Sequence, residues 1–199
     1  MLRSTLFFSM MLLWIPGSYS QLSILAADDE LKPFVGIELG EAAFNKFQSL
    51  SGEIGIRFSN DQMVRLTHMN VKLTEEHLSS GFAGAVDGDR VKGSFFGFEA
   101  FYDFPVLWKG LYLSPSLGYY RNEYQHLDLD ENIRNKSVTI GAAISYRETN
   151  VLRLGGLYYM ISIPMRLSLH PINETRLGEA TINDSTFDNN IWLFVGFEF

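Results

Sequence analysis

The sequence predicts an all-β fold: an eight-stranded antiparallel transmembrane β-barrel with short periplasmic turns and long extracellular loops. Apolar and polar residues alternate with a period of two in eight segments, connections between those segments alternate long and short, and the chain opens on an export leader. Period two marks a strand, whose side chains point alternately to opposite faces. Alternating loop lengths are what an up-and-down barrel makes when its two ends face different compartments.

The leader comes first. Met1-Leu2-Arg3 gives a cationic start, residues 6–15 are apolar except Ser9, and Pro16-Gly17 ends any helix. Ser18 and Ser20 put small side chains at the third and last positions before a cut, as a secretory signal peptide does. Residues 1–20 are therefore expected to be removed, with a rival cut after Ala27 that would put Leu25 at the third position. The apolar run is too short to cross ~30 Å of hydrocarbon as a helix. Residues 21–32 then serve as a periplasmic lead-in, and residues 33–199 form the barrel.

The strands follow in order. In the first, Val35, Ile37 and Leu39 alternate with Gly36, Glu38 and Gly40. In the second, Leu50, Gly52, Ile54, Ile56 and Phe58 oppose Glu53, Gly55 and Arg57. The third sets Val64 and Leu66 against Arg65 and Thr67. The fourth is the most regular, with Phe96, Phe98, Ala100, Tyr102 and Phe104 opposite Phe95, Gly97, Glu99, Phe101 and Asp103. Leu111, Leu113, Leu117 and Tyr119 alternate with Tyr112, Ser114, Ser116 and Gly118 in the fifth. The sixth pairs Val138, Ile140, Ala142, Ile144 and Tyr146 against Thr139, Gly141, Ala143, Ser145 and Arg147. The seventh, over residues 151–163, is less regular, with Leu152, Leu154, Tyr158 and Met160 on its apolar side. The eighth ends the chain, with Leu193, Val195, Phe197 and Phe199 opposing Trp192, Phe194, Gly196 and Glu198.

Long connections at 41–49, 73–91, 121–136 and 165–189 alternate with short ones at 59–62, 105–110 and 148–150. Strands of roughly ten residues suit a tilted crossing of the membrane. An eight-stranded bore is only wide enough for its own side chains. The mixed face, rich in Gly, Ser, Ala and Thr, fits that bore, and its charges would be costly against lipid. The apolar set is therefore expected to face lipid. Tyr102, Phe104, Trp108, Tyr146 and Phe199 then fall near the periplasmic rim, where an aromatic girdle belongs. A soluble lipocalin-like barrel is the rival fold and would turn the apolar face inward.

Composition narrows the function. The chain has 199 residues, no cysteine and a net charge of −7, which removal of Arg3 with the leader would take to −8. Neither a disulfide framework nor a thiolate metal site is available. An acidic chain is a poor partner for nucleic acid, whose phosphates need clustered Lys and Arg.

The opening segment Lys32-Pro33-Phe34-Val35-Gly36-Ile37-Glu38-Leu39-Gly40 and the terminal Phe197-Glu198-Phe199 resemble the small outer-membrane barrel families, the OmpA-type transmembrane domains and OmpX-like proteins. The resemblance is architectural and spans the mature chain. It implies a place in the outer membrane of a Gram-negative cell, with outer-membrane lipid and lipopolysaccharide as neighbours. In those families a final aromatic residue preceded by alternating apolar residues is the signal for the barrel-assembly machinery. Phe199, Phe197, Val195 and Leu193 match that alternation, whereas the glycine of the usual signal is displaced to Gly196 by Phe194.

Nine charges are expected inside: Glu38, Glu53, Arg57, Arg65, Glu99, Asp103, Arg147, Arg153 and Glu198. Four arginines against five carboxylates should pair, because an isolated buried ion is very costly. A self-paired bore is a structural plug; a charge-lined ion path is the alternative. Ser168 and His170 share a face if the seventh strand extends, with Glu174 and Glu179 nearby in sequence. A serine beside a histidine begins an acyl-transfer site only with an orienting acid and an oxyanion hole. His68, His77 and His126 lack metal-ligand spacing and are expected to be interfacial or solvated. The Gly-rich segment 81–89 has neither the context of a phosphate loop nor the ligands of a calcium loop, and it is expected to be a surface loop. No catalytic, cofactor-binding or metal-binding residue is assigned, and no cofactor is expected. The expected function is therefore non-enzymatic: envelope integrity or surface contact through the extracellular loops, whose ligand the sequence does not name. A small porin-like channel and a lipid A-modifying barrel enzyme are the alternatives.

Overall fold

The computed structural model describes residues 31–44, 49–73, 86–88, 90–182, 187–189 and 191–199. The signal-peptide segment, nearly all of the lead-in, His77 and residues 81–85 and 89 of the Gly-rich segment lie outside the described residues.

The chain runs β1 (Lys32–Glu38), a short helix α1 (Gly40–Phe44), β2 (Gly52–Arg57), β3 (Met63–Leu73), β4 (Val86–Asp87) and β5 (Val91–Pro105). Then come β6 (Leu111–His126), β7 (Asn132–Thr149), a single 3-10 turn at Val151–Arg153 and β8 (Leu157–Ser168). The last segments are β9 (Thr175–Leu177), β10 (Ala180–Ile182), β11 (Phe187–Asn189) and β12 (Trp192–Glu198).

Eight staves close a ring. The neighbours run β8-β12-β1-β2-β3-β5-β6-β7, and β7 pairs back onto β8. The strands β11 and β12 share one register on β8, with Asn189 opposite Met165 and Trp192 opposite Ser162, so together they make the final stave. Every pairing in the ring is antiparallel. Closure removes the open edges that would otherwise expose unpaired N–H and C=O groups to lipid.

The ring is staggered. Crossing from Phe34 through Gly55, Arg65, Phe101, Ser116, Gly141 and Arg166 leads to Asp188. Asp188 lies six residues before Phe194, the partner of Glu38, so the path returns ten residues beyond Phe34. That shear tilts the strands by roughly 40°.

The two faces separate as the alternation requires. Val35, Ile37, Ile54, Val64, Leu66, Phe98, Leu117, Ile140, Ile144, Ile161 and Phe197 are exposed on the outside. Phe34, Met63, Phe101, Tyr112, Tyr158, Met160, Trp192 and Phe194 are buried in one cluster in the bore. The interior is thus bulkier than the Gly, Ser, Ala and Thr of the mixed face suggested. Glycines make the room. At Gly97 a Cβ atom would collide with the ring of Tyr120 and with the Tyr119 carbonyl oxygen. Gly97→Val should therefore cost about 1–3 kcal/mol, the usual range for overpacking, and chemical unfolding in micelles measures it.

Several boundaries differ from the sequence pattern. Strands β5, β6 and β7 have 15, 16 and 18 residues, well beyond the ten expected. The predicted loop at 121–136 is mostly a protruding hairpin, with only residues 127–131 outside the strands. Beyond the lipid both faces of a strand can be polar, so the hydropathy alternation fades while the backbone pairing continues. The seventh strand begins at Leu157, not at 151. Asn150, Leu152 and Arg153 adopt positive φ of 58°, 54° and 62°, and Gly156 has φ 81°, so these residues make a turn. Leu152 and Leu154 lie on that turn, while Tyr158 and Met160 point into the bore, reversing the predicted face.

Candidate functional site

The bore and the loop end hold the chemistry. Inside, the charges form three layers. The middle layer centres on Arg65 of β3. Its Nε donates to Asp103 Oδ1 at 3.1 Å and Oδ2 at 2.9 Å, and its Nη1 donates to Glu53 Oε2 at 3.2 Å. The Nη2 donates to the hydroxyls of Ser145 and Ser162 at 3.3 and 3.4 Å. The Tyr158 hydroxyl donates to Glu53 Oε1 at 2.9 Å, and the Ser114 hydroxyl donates to Asp103. One guanidinium therefore links side chains from several staves, with its ion-pair partners fully buried.

The lower layer lies toward the tight turns. Glu198 of β12 accepts from Arg57 Nε and Arg147 Nη2, both at 2.9 Å, and Arg57 also donates to Asp61 at 2.7 Å. The Arg147 guanidinium lies 4.3 Å from the Phe34 ring and 3.9 Å from the Tyr158 ring. Those rings supply cation–π contact where water is excluded.

The upper layer joins Glu99, an expected interior charge, to Arg166, which is not among the charges expected inside. Arg166 of β8 lies 3.6 Å from Glu99, which also accepts from the Tyr120 hydroxyl. Its guanidinium is 5.1 Å from both the Tyr120 and Trp192 rings. Arg166 takes the interior place expected for Arg153, which is exposed in the turn before β8. Ile161, Ile163, Met165 and Leu167 carry a period-two pattern past residue 163, and following it would have placed Arg166 inside. Glu38 is inward and buried, as expected, but among the described residues it pairs with no arginine. Its carboxylate accepts from the Gly40, Glu41 and Leu193 amides and so caps α1.

A closed ring with an apolar outside and a charged inside is a membrane barrel of the outer-membrane kind. The chain is a transmembrane β-barrel. Three solved structures are similar to it. The N-terminal β-barrel domain of Pseudomonas aeruginosa OprF aligns with 86% of this chain and 96% of its own, at 17% identity and a TM-score of 0.39. Ail, the attachment invasion locus protein of Yersinia pestis, aligns over 86% and 97%, at 12% identity and a TM-score of 0.41. A major outer membrane protein from Thermus thermophilus aligns over 87% and 100%, at 10% identity and a TM-score of 0.45. No protein-family model and no curated protein matches the sequence. The barrel itself rests on the strand register and the two faces described above.

At the loop end the connections fold on one another. A three-stranded sheet of order β4-β10-β9 stands over the bore, built partly from the long predicted loop at 165–189. Val86, Ile172, Leu177, Ala180 and Ile182 form a second buried cluster with Val91 of β5 and Tyr124 of β6. His126 is buried here rather than solvated, and its Nδ1 accepts from the Asp128 and Leu129 amides at 3.1 Å each. Glu131 accepts from the Gly178 amide at 3.2 Å, and Arg90 pairs with Asp128. His68 lies in the outer belt, between the Phe96 and Phe98 rings at 5.2 and 4.9 Å.

The Ser168 hydroxyl is hydrogen-bonded to that of Ser137 at 2.5 Å. The His170 amide donates to Ser137 Oγ, while its side chain is exposed, as are Glu174 and Glu179. Ser137 thus engages both segments through a hydroxyl and a backbone amide, an arrangement that pins the end of β8 to β7. At the opposite rim Tyr102 donates to Gln62 at 2.6 Å, and Phe104, Trp108, Tyr146 and Phe199 are exposed.

Proposed function

We propose that this protein is a non-conducting surface barrel that displays a folded crown to the cell's surroundings for contact with other surfaces. The observation that carries the proposal is the crown's buried cluster, a second one beside that in the bore. Loops that only close a barrel need no core of their own, whereas a recognition surface needs a fixed shape. Loops on rigid scaffolds are where such proteins place function. The paired charges and packed aromatics below supply the rigid scaffold and leave little room for a water path. Ser168 is engaged by Ser137, so an acyl-transfer role draws no support from that residue.

Ile182 is fully buried in the crown. Ile182→Asp should unfold the crown, since an unpaired carboxylate in an apolar cluster is costly, while the barrel stays folded. Added protease should then cut within 169–191 in intact cells, and the wild type should resist. Cells carrying Ile182→Asp should attach to host-cell and abiotic surfaces no better than cells lacking the protein. Their resistance to detergent should remain at the wild-type level. Unchanged attachment with lowered detergent resistance would replace surface contact with an envelope-integrity role.

A further inference from the structure

The outer wall of the barrel is not uniform near its loop end. On β3, β5, β6 and β7 the outward positions above the apolar belt include Lys72, Lys92, Arg121, Arg134 and Lys136, all exposed. Register places them side by side. Lys72 is opposite Ser94, Ser94 opposite Glu123, and Glu123 opposite Arg134. Arg121 stands between Phe96 and Lys136, and Lys92 is opposite Gln125. These four staves are consecutive in the ring.

Only Arg134 among the five has an ion pair among the described residues, with Glu123 at 2.9 Å. The remaining basic side chains form a band one or two outward positions beyond His68, Phe96, Tyr119 and Ile140 on their own strands, at the loop-end edge of the apolar belt. The Arg121 guanidinium lies 6.0 Å from the Phe96 ring, joining the charged band to the belt. The last two staves differ. The outward residues Ile163, Met165 and Leu167 of β8 and Leu193 and Val195 of β12 are apolar.

We propose that this band is a docking face for the phosphate-bearing headgroups of the surrounding outer leaflet, with their acyl chains lying on the aromatic and aliphatic belt beneath. The charge pattern selects that occupant. In a chain with net charge −7, five basic side chains with one carboxylate among them are concentrated on one outward wall. They stand at the level where the apolar belt ends, which is where lipid headgroups begin. Basic residues beside a membrane attract anionic headgroups, and the attraction adds up over the cluster. Arginine adds bidentate geometry for phosphate. A protein partner would not require the charged band to follow the edge of a lipid-facing belt on four successive staves.

The test uses the purified full barrel in phosphatidylcholine nanodiscs. Bisphosphorylated lipid A and its dephosphorylated form are titrated in separately, and bound lipid is read by native mass spectrometry. The phosphorylated lipid should bind at least about tenfold more tightly, with a steep loss in salt. A variant carrying Lys72→Gln, Lys92→Gln, Arg121→Gln and Lys136→Gln should lose that tenfold preference. A control variant with two basic side chains removed at the opposite end, Lys109→Gln with Arg153→Gln, should keep it. Equal binding of the two lipids by the wild type, which needs no variant to fold, would overturn the proposal. So would an equal loss in both variants.

Discussion

Replacing Arg65 by alanine is expected to lower the unfolding free energy by about 3–5 kcal/mol, because it leaves two buried carboxylates without their cation. Arg65 is 1% exposed, and it joins Asp103 of β5 to Glu53 of β2. Its removal also leaves the Ser145 and Ser162 hydroxyls with only one another. Arg65→Lys should recover little, since an ammonium cannot reproduce the forked contacts of a guanidinium. Arg134→Ala is the contrast. That side chain is 65% exposed and pairs with Glu123 on the outer wall, so its loss should change stability by about 0–1 kcal/mol. Urea unfolding in micelles, followed by tryptophan fluorescence, measures both. Equal losses would mean that the buried network contributes no more than a surface pair.

Deleting Phe199 is expected to reduce the amount of protein in the membrane several-fold while leaving the stability of the assembled barrel almost unchanged. Phe199 is 73% exposed, and its amide donates to the Pro33 carbonyl at 2.9 Å. Its ring packs near that of Phe197, 6.1 Å away, on the outer rim. So little contact makes a large stability loss implausible, and a biosynthetic defect would isolate recognition by the assembly machinery. Immunoblots of membrane and periplasmic fractions, paired with urea unfolding of the refolded variant, separate the two. Unchanged membrane levels would remove Phe199 from assembly. A matching loss of stability would make its role structural.

The staves were legible wherever one face met lipid and the other the bore. Phe96, Phe98, Ala100, Tyr102 and Phe104 alternate cleanly with inward Glu99, Phe101 and Asp103 because hydrocarbon tolerates no charge on one side. That contrast disappears above the membrane, which is why the sequence of the hairpin carrying Arg121, Glu123 and Arg134 reads as a loop. It also fails at turns. Leu152 and Leu154 are apolar but sit in an exposed turn of left-handed residues, and counting them as strand shifted the seventh stave's face. The same shift placed Arg153 inside and hid Arg166. The crown was invisible for a different reason. Val86, Tyr124, Ile172, Leu177 and Ile182 come from three separate connections, and no local period links them.

Single-channel recording across a planar bilayer tests the plugged barrel most directly. With Arg65, Arg147 and Arg166 each held against buried carboxylates and aromatic rings, the purified wild-type protein should insert without a steady conductance. A large, persistent wild-type conductance would contradict the plug and make the protein a channel.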